Sequence, residues 1–336
     1  MFYFIFFSFR LKMNYVIFFL LILVRLSSIV ESRIFFVSDY GAYANDDYDD
    51  TKAIQAAIDD AIHINVTSEI DFGDGIYKIS SPIIIVNATN ITVKGVGMNE
   101  TFLIGYEQIA IFNIRNSQRI KLTAFSIDYD PLPFTAGYVV DVNDTYLDVQ
   151  IVAPHQADVG RQVQAILRYD PIQMRPAFGL NTYEISQIPP TDVKTTIVSP
   201  GVLRLPLKSS TQFVKGDPIV ARYVFSAYGI YGEDIIDFTL QSVTVYTAWS
   251  MSFVTLRPRR LNIIDYHVLL RNERWMSSVA DCIHSTDARE SIVIVDSKCQ
   301  GMGDDALNVH ATFFLVTEVF NSSAIKHRLL FMAMEQ

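Results

Sequence analysis

The chain has 336 residues, of which 50% are hydrophobic and 19% are charged, and its formal net charge is −9. A chain of this size and composition can bury a large core, which excludes an intrinsically disordered protein. It has no run of Lys and Arg residues, so we expect no nucleic-acid partner. Two cysteines exclude a disulfide-stapled miniprotein, and six histidines without metal-ligand spacing predict neither a metal nor another cofactor.

Residues 1–32 are typical of a secretory signal peptide. An apolar run at 15–24 follows Arg10 and Lys12, and it is too short to span a bilayer. We therefore expect a secreted protein, or one in the lumen of the secretory pathway, whose processed chain begins near Arg33 and has no stable membrane span. A signal anchor that stays attached is the alternative.

Six N-x-S/T sequons also indicate export, because such sites accept glycans only in a secretory lumen. The predicted glycosylation sites are Asn65, Asn87, Asn90, Asn99, Asn143 and Asn321.

A short strand, an acidic segment and an amphipathic helix open the remaining sequence. Apolar residues recur at helical spacing over about 51–62, and Asp49 or Asp50 is well placed as the N-cap. We favour a helix cap and a solvated turn over the alternative, a metal site formed by the four aspartates of segment 45–50. The order DYGA, acidic turn and TKAIQAAIDDA resembles the opening of pectin-lyase-like right-handed β-helix proteins, in which this helix caps the open N-terminal end.

A repeated pattern supports a parallel β-helix independently of that resemblance. The pattern is apolar, polar, apolar, two spacers, apolar, polar, apolar, and its copies start at Ile91, Ile120, Phe238, Leu261 and Ile292. Successive starts are separated by 29 residues (91 to 120), 23 (238 to 261) and 31 (261 to 292), each the length of one solenoid coil. The alternative is a β-sandwich, which has strands at shorter intervals.

The gap between the starts at 120 and 238 is too long for one coil. Turn residues between alternating strands predict hairpins there, so we place a small antiparallel β domain at 138–222, with Pro189-Pro190 in a surface loop. The predicted organisation is then β-helix at 33–137, the insertion, β-helix with the active site at 223–316, and an irregular tail at 317–336.

Candidate catalytic residues cluster late in the chain. Asp281 and Asp304 are 23 residues apart, so we expect them on the same face of successive coils, with Asp305 beside them. Mutual repulsion in such a cluster is expected to raise at least one pKa. One protonated and one ionised carboxyl group suit hydrolysis of a glycosidic bond.

The same cluster has other interpretations. Calcium bound with Asn308 is one, and an external Asp and Asn ladder that only satisfies turn amides is another. We expect His284, Asn308 and His310 to hold sugar hydroxyls. Trp249, with Tyr246 and Trp275, lies one coil earlier and is a candidate for stacking on a sugar ring, although packing inside the solenoid is the commoner role of such residues.

Three segments carry a more specific resemblance. GMGDDALNVH at 301–310, DCIHSTDAR at 281–289 and IDYDPLPFT at 127–135 are similar to glycoside hydrolase family 110. This resemblance implies an exo-acting α-galactosidase that removes terminal α-1,3-linked galactose from glycans with inversion. It also implies that Asp304 is the general acid, while Asp281 and Asp305 activate the water.

The resemblance implies further coils after this chain's last ones, so we expect a C-terminally truncated member whose activity the sequence does not decide. Two alternatives remain: a polygalacturonase-like hydrolase, and a non-catalytic glycan-binding or structural β-helix fragment. For an inverting pair we expect acid and base carboxyl groups roughly 6.5–9.5 Å apart. Cys282 and Cys299 are expected to be free thiols that face opposite ways.

Overall fold

The computed structural model describes residues 32–177, 184–186, 192–208, 213–224, 227–321 and 324–330. The predicted signal peptide up to residue 31, the Pro189-Pro190 loop and residues 331–336 lie outside these ranges. None of the helices in the described ranges is long and apolar enough to cross a membrane.

In the described ranges, one α-helix follows the first strand in the sequence, and the strands fall into three groups along the chain. The helix is α1 (Thr51–Ile64), preceded by a 3-10 turn at Val37–Tyr40. The first group is β1 (Ser32–Phe36), β2 (Thr67–Asp71), β3 (Gly75–Ile79), β4 (Ile83–Val86), β5 (Thr89–Lys94), β6 (Thr101–Gly105), β7 (Phe112–Arg115) and β8 (Gln118–Tyr129). The second is β9 (Phe134–Val142), β10 (Tyr146–Ile151), β11 (Val163–Asp170), β12 (Arg175–Pro176), β13 (Glu184–Ser186), β14 (Thr196–Ser199), β15 (Val202–Pro206) and β16 (Pro218–Tyr223). The third is β17 (Ile230–Glu233), β18 (Ile236–Val245), β19 (Phe253–Leu256), β20 (Arg259–Val268), β21 (Ile283–Thr286), β22 (Arg289–Val295), β23 (Lys298–Cys299), β24 (Leu307–His310), β25 (Phe313–Asn321) and β26 (Ala324–Leu330).

Two parallel sheets form the solenoid. The larger has the order β1-β2-β5-β8-β18-β20-β22, with β3, β6 and β23 paired beside this path. The smaller has the order β4-β7-β17-β19-β21-β24. The predicted parallel β-helix is therefore confirmed, and the sandwich alternative is wrong, because consecutive strands of each sheet come from successive coils rather than from hairpins.

The repeated pattern sets the register of these coils. Its start positions pair directly: Ile91 with Ile120, Phe238 with Leu261, and Leu261 with Ile292. Leu122 pairs with Leu240, so the coil before the insertion stacks on the coil after it.

The two spacers of the pattern have a conformational cause. One spacer has a left-handed backbone in four of the five copies, with φ of 62° at Ala124, 51° at Ser242, 53° at Asp265 and 51° at Asp296. A single left-handed residue turns the chain between two strand segments. The inward-facing apolar residues therefore continue after two spacers, where strict alternation would place one.

Helix α1 covers the first coils through one apolar face. Ile54, Ala57, Ile58 and Ala61 are buried on it, at 0–1% exposure. The helix is two residues longer than predicted and ends at Ile64, followed by the C-cap residue Asn65, whose φ of 53° is left-handed. The predicted capping of the N-terminal end is confirmed by the contacts of α1 with β1, β2, β4 and β5.

The two candidate N-cap aspartates have separate roles. Asp49 Oδ1 accepts hydrogen bonds from Thr51 N (3.1 Å) and Thr51 Oγ1 (2.5 Å) at the helix start. The Asp50 carboxylate instead accepts hydrogen bonds from Tyr43 N (3.0 Å) and Lys78 N (2.8 Å). Burial is the largest influence on Asp50 and raises the pKa of its carboxyl group to about 6.

The inserted domain is an antiparallel sheet in the order β12-β11-β16-β9-β10-β15-β14, with β13 beside β11. It begins at Phe134, four residues before the predicted boundary at 138, because Phe134 already pairs with Arg222 at the far end of the domain. A second core, which includes Leu147, Val149 and Ile219, fills it.

The C-terminal region differs from the prediction. Residues 317–336 were expected to be irregular, but β25 and β26 pair as antiparallel strands over residues 313–321 and 324–330. Two strands joined by a short connection need no coil-length spacing, so the solenoid pattern could not reveal them.

Candidate active site

The candidate site lies where β21 and β24 form the edge of the six-stranded sheet. Asp281 comes two residues before β21, and Asp304 and Asp305 come just before β24. Ile283 pairs with Leu307, and Cys282 N donates a hydrogen bond to Asp305 O (2.9 Å). The register offset is therefore 24 residues, so Asp305 and not Asp304 is opposite Asp281, which corrects the predicted offset of 23.

The structure brings all three predicted carboxylates together. One oxygen from each lies within 4.8 Å of the other two. Asp281 is buried at 1% exposure, Asp304 is half-buried and Asp305 is exposed, so the cluster runs from the protein interior to solvent. These nearest oxygens are closer than the 6.5–9.5 Å expected for an inverting acid and base, because the groups come from adjacent strands of a sheet with a spacing of roughly 4.8 Å.

A chain of imidazoles adjoins the buried carboxylate. His284 Nδ1 lies 2.7 Å from Asp281 Oδ2, so Nδ1 carries a proton and donates it in a hydrogen bond. His284 Nε2 lies 3.1 Å from Nε2 of His310, and that same atom of His310 lies 3.2 Å from Thr286 Oγ1. Asp281 is thus held from one side and is joined to the half-buried His310 through a buried ring.

Asn308 contacts the exposed carboxylate in a similar way. Its Nδ2 donates a hydrogen bond to Asp305 Oδ2 at 3.1 Å. His284, Asn308 and His310 therefore all lie beside the carboxylates, within hydrogen-bonding reach of the cluster or of one another.

The aromatic candidates lie elsewhere. The Trp249 indole belongs to the solenoid core, with 4% of the residue exposed and the Arg161 guanidinium 5.7 Å from its ring centre. Trp275 is stacked on Tyr169 with centroids 5.5 Å apart, at the junction with the inserted domain. Trp249 therefore presents no open ring face to a sugar, because its side chain is buried by packing in the core.

Arg222, on strand β16 of the inserted domain, is a further residue of this region that the sequence patterns do not predict. Its side chain is buried at 2% exposure, and Nη1 donates hydrogen bonds to Val279 O (3.0 Å) and Gly303 O (3.4 Å). These carbonyls lie two residues before Asp281 and one residue before Asp304. Arg222 therefore links both carboxylate-bearing segments to the inserted domain. The only signal in the sequence is a charged residue within the apolar strand IVARY.

The backbone at Gly303 also lies close to the backbone at Val279. A Cβ atom on Gly303 would lie 2.3 Å from Val279 O, so any larger residue would push the two segments apart.

The segment IDYDPLPFT contributes a buried aspartate that forms ion pairs near the site. Asp128 is buried and accepts hydrogen bonds from Arg271 Nη1 (2.9 Å) and Arg274 Nη1 (2.7 Å). Both arginines lie in the connection that leads from β20 to Asp281, so this carboxylate fixes the path of that connection.

The expectation of free thiols is wrong. Cys282 and Cys299 form a disulfide, with Cα atoms 6.0 Å apart. Both side chains point into the same core, where Cys282 is fully buried and Cys299 packs against the cluster. The prediction failed because it assumed that neighbouring coils would direct the two side chains to opposite faces.

Comparison with known proteins agrees with the fold. The profile of the family "Rhamnogalacturonase A/epimerase, pectate lyase-like" matches residues 34–130. This match covers less than a third of the chain, over its first group of strands, and agrees with the parallel β-helix fold.

Curated relatives have more specific names. Alpha-1,3-galactosidase A of Shewanella woodyi is 25% identical over 278 residues, which is 76% of this chain and 44% of that protein. Alpha-1,3-galactosidase B of Bacteroides thetaiotaomicron is 23% identical over 355 residues, which is 92% of this chain and 56% of that protein. The chain thus spans about half the length of these relatives.

Among solved structures, the Yersinia enterocolitica family 28 exopolygalacturonase has a TM-score of 0.42 and 12% identity, covering 83% of this chain and 45% of that chain.

Proposed function

We propose that this protein is a glycoside hydrolase that removes terminal α-1,3-linked galactose from glycans with inversion at the anomeric carbon. The observation that carries the proposal is the cluster of Asp281, Asp304 and Asp305, with oxygens within 4.8 Å of one another, at the edge of the parallel sheet. Sequence similarity to curated proteins named alpha-1,3-galactosidase supports the substrate class.

The three carboxyl groups have different roles in this proposal. Asp304 donates a proton to the oxygen of the leaving group, and Asp281 and Asp305 together activate the attacking water. Asp281 and Asp305 each accept a side-chain hydrogen bond, from His284 (2.7 Å) and Asn308 (3.1 Å), as suits ionised carboxylates acting as base.

His284 is a positioning residue in this scheme. Its hydrogen bond fixes which oxygen of Asp281 remains available to a water. His310 borders the same space and is half-buried, so we propose that it contacts a sugar hydroxyl; in the structure its Nε2 lies 3.1 Å from His284 Nε2 and its Nδ1 lies 3.3 Å from Ala311 O.

The decisive experiment compares Asp281→Asn, Asp304→Asn and Asp305→Asn with Asp296→Asn. Asp296 is an exposed aspartate at a left-handed corner of the neighbouring coil, a conformation that Asn adopts readily. Each cluster variant is expected to lower turnover of an α-1,3-galactoside by at least about 10²-fold, whereas the control retains wild-type turnover.

The products decide the substrate class and the stereochemistry. Proton NMR of the first product is expected to show β-galactose. Release of α-galactose would overturn inversion and would fit the short distance between the carboxylates. Hydrolysis of polygalacturonate instead of the galactoside would replace the proposed activity with a polygalacturonase-like one, and binding without turnover would make the protein a glycan-binding module.

We further propose that the protein enters the secretory pathway and is glycosylated. Asn65, Asn87, Asn99 and Asn143 are exposed, and Asn90 is half-buried and accepts a hydrogen bond from Arg119 Nε. Expression in a secretory host is expected to yield protein in the medium that begins near Arg33 and loses mass on treatment with an N-glycosidase. Retention in the membrane with residues 15–30 intact would identify a signal anchor instead.

A further inference from the structure

An open cavity of about 420 Å³ lies on the six-stranded sheet, on strands nearer the N-terminus than the carboxylate cluster. Asn113 and Arg115 of β7 and Tyr228 and Tyr231, beside and within β17, line it, with Gln108 at its rim. Strands β7 and β17 belong to the same sheet as β21 and β24. The cavity and the candidate active site are therefore parts of one surface.

Two tyrosines form an aromatic wall in this cavity. The rings of Tyr228 and Tyr231 are stacked, with centroids 5.7 Å apart and an interplanar angle of 18°, and both residues are only half-buried. The Tyr231 hydroxyl donates a hydrogen bond to Glu233 Oε2 (3.2 Å), which fixes the orientation of the ring. Rigid aromatic rings at a concave surface provide the apolar contact area that the C–H faces of sugars need.

Polar groups converge on the same cavity. Arg115 Nε donates a hydrogen bond to Asn113 Oδ1 (3.0 Å), and the Arg115 guanidinium lies 5.5 Å from the Tyr231 ring centre. Glu233 Oε2 is 3.7 Å from Arg115 Nε, and its Oε1 is 2.7 Å from Arg257 Nη2. Arg257 also pairs with Asp234 (2.7 Å), so two acidic groups offset the two guanidinium groups. An aromatic wall with amide and charge-balanced guanidinium groups is suited to neutral hydroxylated ligands more than to anionic sugars.

A continuous floor joins this cavity to the carboxylates. Met251, Val254 and Ala280 form one apolar cluster, against which Tyr228 and Tyr231 pack. Ala280 immediately precedes Asp281. Tyr231 pairs with Val254, and Val254 pairs with His284, so Tyr231 is two strand spacings, roughly 10 Å, from the His284 position.

We propose that this cavity is a binding subsite for the sugars to which the terminal galactose is attached, so that the glycan lies along the sheet from β21 towards β17. The inference rests on the proposed function and adds a substrate preference to it. The protein is expected to favour a neutral oligosaccharide over a simple galactoside whose leaving group cannot reach Tyr228 and Tyr231.

The test measures kcat/KM with two substrates: the trisaccharide in which α-1,3-galactose is attached to lactose, and p-nitrophenyl α-galactoside. Tyr228→Ala and Tyr231→Ala are expected to lower kcat/KM for the trisaccharide by about three- to tenfold each, and to leave the aryl substrate within about twofold of wild type. Ala110→Trp fills the cavity without removing an aromatic contact and is expected to have the same selective effect. Tyr48→Ala deletes a tyrosine that is 77% exposed, far along the chain from the cavity, and serves as the matched control.

Binding of lactose alone, followed by saturation-transfer NMR, separates this inference from the proposed function. Lactose lacks the terminal α-galactose, and its signal is expected to persist in Asp304→Asn and to disappear in Ala110→Trp. Equal effects of the cavity variants on both substrates, or lactose binding unaffected by Ala110→Trp, would overturn the subsite. Failure to hydrolyse either galactoside would overturn the proposed function, and the lactose measurement would then decide the subsite by itself.

Discussion

The two ends of the solenoid are stabilised by different means. At the N-terminal end, helix α1 places Ile54, Ala57 and Ile58 against the first coils, where they are completely buried. In the last coils before β25, Ile294 and Leu307 are at inward positions of the repeat, opposite the buried Ile263 and Ile283, but are 36% and 49% exposed. Helix α1 therefore buries the apolar surface of the first coils, whereas inward-facing side chains of the last described coils are partly exposed.

The carboxylate cluster lies at the end with the weaker apolar cover. There the segments are held by discrete links: the disulfide between Cys282 and Cys299, and the hydrogen bonds of Arg222 to Val279 O and Gly303 O. Such links fix the backbone at particular points. The comparison indicates that the geometry of the site depends on a few covalent and polar contacts, while the other end depends on packing.

The largest expected difference between the ends comes from shortening one apolar side chain at each. Ile58→Ala is expected to lower the free energy of unfolding by about 2–5 kcal/mol, because the lost contacts leave a cavity in a closed core. Val293→Ala, at a position 42% exposed, is expected to change it by less than about 0.5 kcal/mol. Urea unfolding followed by circular dichroism measures both, and equal losses would show that the two ends are stabilised alike.

Removal of the disulfide is expected to have the next largest effect. The Cys282→Ala/Cys299→Ala double variant opens a link across a sequence separation of 17 residues, which corresponds to a loss of about 2–4 kcal/mol. A readout specific to the site is kcat for the α-1,3-galactoside, which we expect to fall together with stability. Thiol titration of the denatured, unreduced wild-type protein is expected to find no reactive thiol, and two reactive thiols would contradict the structure.

The sequence predicted the features that repeat and missed those that occur once. Ile91, Ile120, Phe238, Leu261 and Ile292 were assigned to equivalent positions of successive coils because every coil buries the same face. Asp281 and Asp305 are opposite each other only because this coil has 24 residues, and a pattern whose spacing varies between coils does not determine a one-residue register. The spacing did place the three carboxylates near one another, since a shift of one position still leaves them on adjacent strands.

The contacts made by the inserted domain were beyond sequence patterns. Arg222 belongs to an antiparallel strand, yet its partners Val279 and Gly303 belong to the solenoid, 57 and 81 residues further along the chain. Local periodicity contains no information on how two domains pack. For the same reason, the sequence predicted Trp275 as a candidate for stacking on a sugar ring, whereas its ring is stacked on Tyr169 of the inserted domain.

Two buried titratable groups, His155 at the junction with the inserted domain and Asp50 beside α1, are expected to give pH dependences of opposite sign. His155 packs against Phe134 and Trp275, and burial, with the charge of Arg274 as a second cause, lowers its pKa to about 4. The unfolded chain then binds more protons between pH 6.5 and 4, so the stability due to neutral His155 is present above pH 6.5 and is lost as pH falls towards 4. Asp50, beside α1, has a raised pKa of about 6, so its contribution to stability decreases as pH rises from about 4 to 6.

Single variants separate these two contributions. His155→Gln is expected to remove about 2 kcal/mol of the loss in stability between pH 7.5 and pH 5. Asp50→Asn is expected to make the loss over the same interval larger, because the opposing contribution of Asp50 disappears. Urea unfolding at the two pH values measures both effects. An unchanged pH dependence in His155→Gln would show that this imidazole titrates normally in the folded protein.

The smallest expected effect on stability tests the open end directly. Val293→Lys and Val295→Lys place charges on β22, the terminal strand of the larger sheet's main path, where the side chains are already more than 40% exposed. Since little apolar burial is lost, unfolding is expected to change by less than about 0.5 kcal/mol. Self-association is expected to fall, because charged side chains on an exposed edge strand oppose pairing with a second edge. Sedimentation velocity at several concentrations measures self-association. The control is Lys94→Val, which makes the opposite change of side chain on β5, an interior strand of the same sheet. If the lysine variants associate as the wild type does, the exposed valines are not the surface through which molecules meet, and the contrast between the two ends concerns folding stability alone.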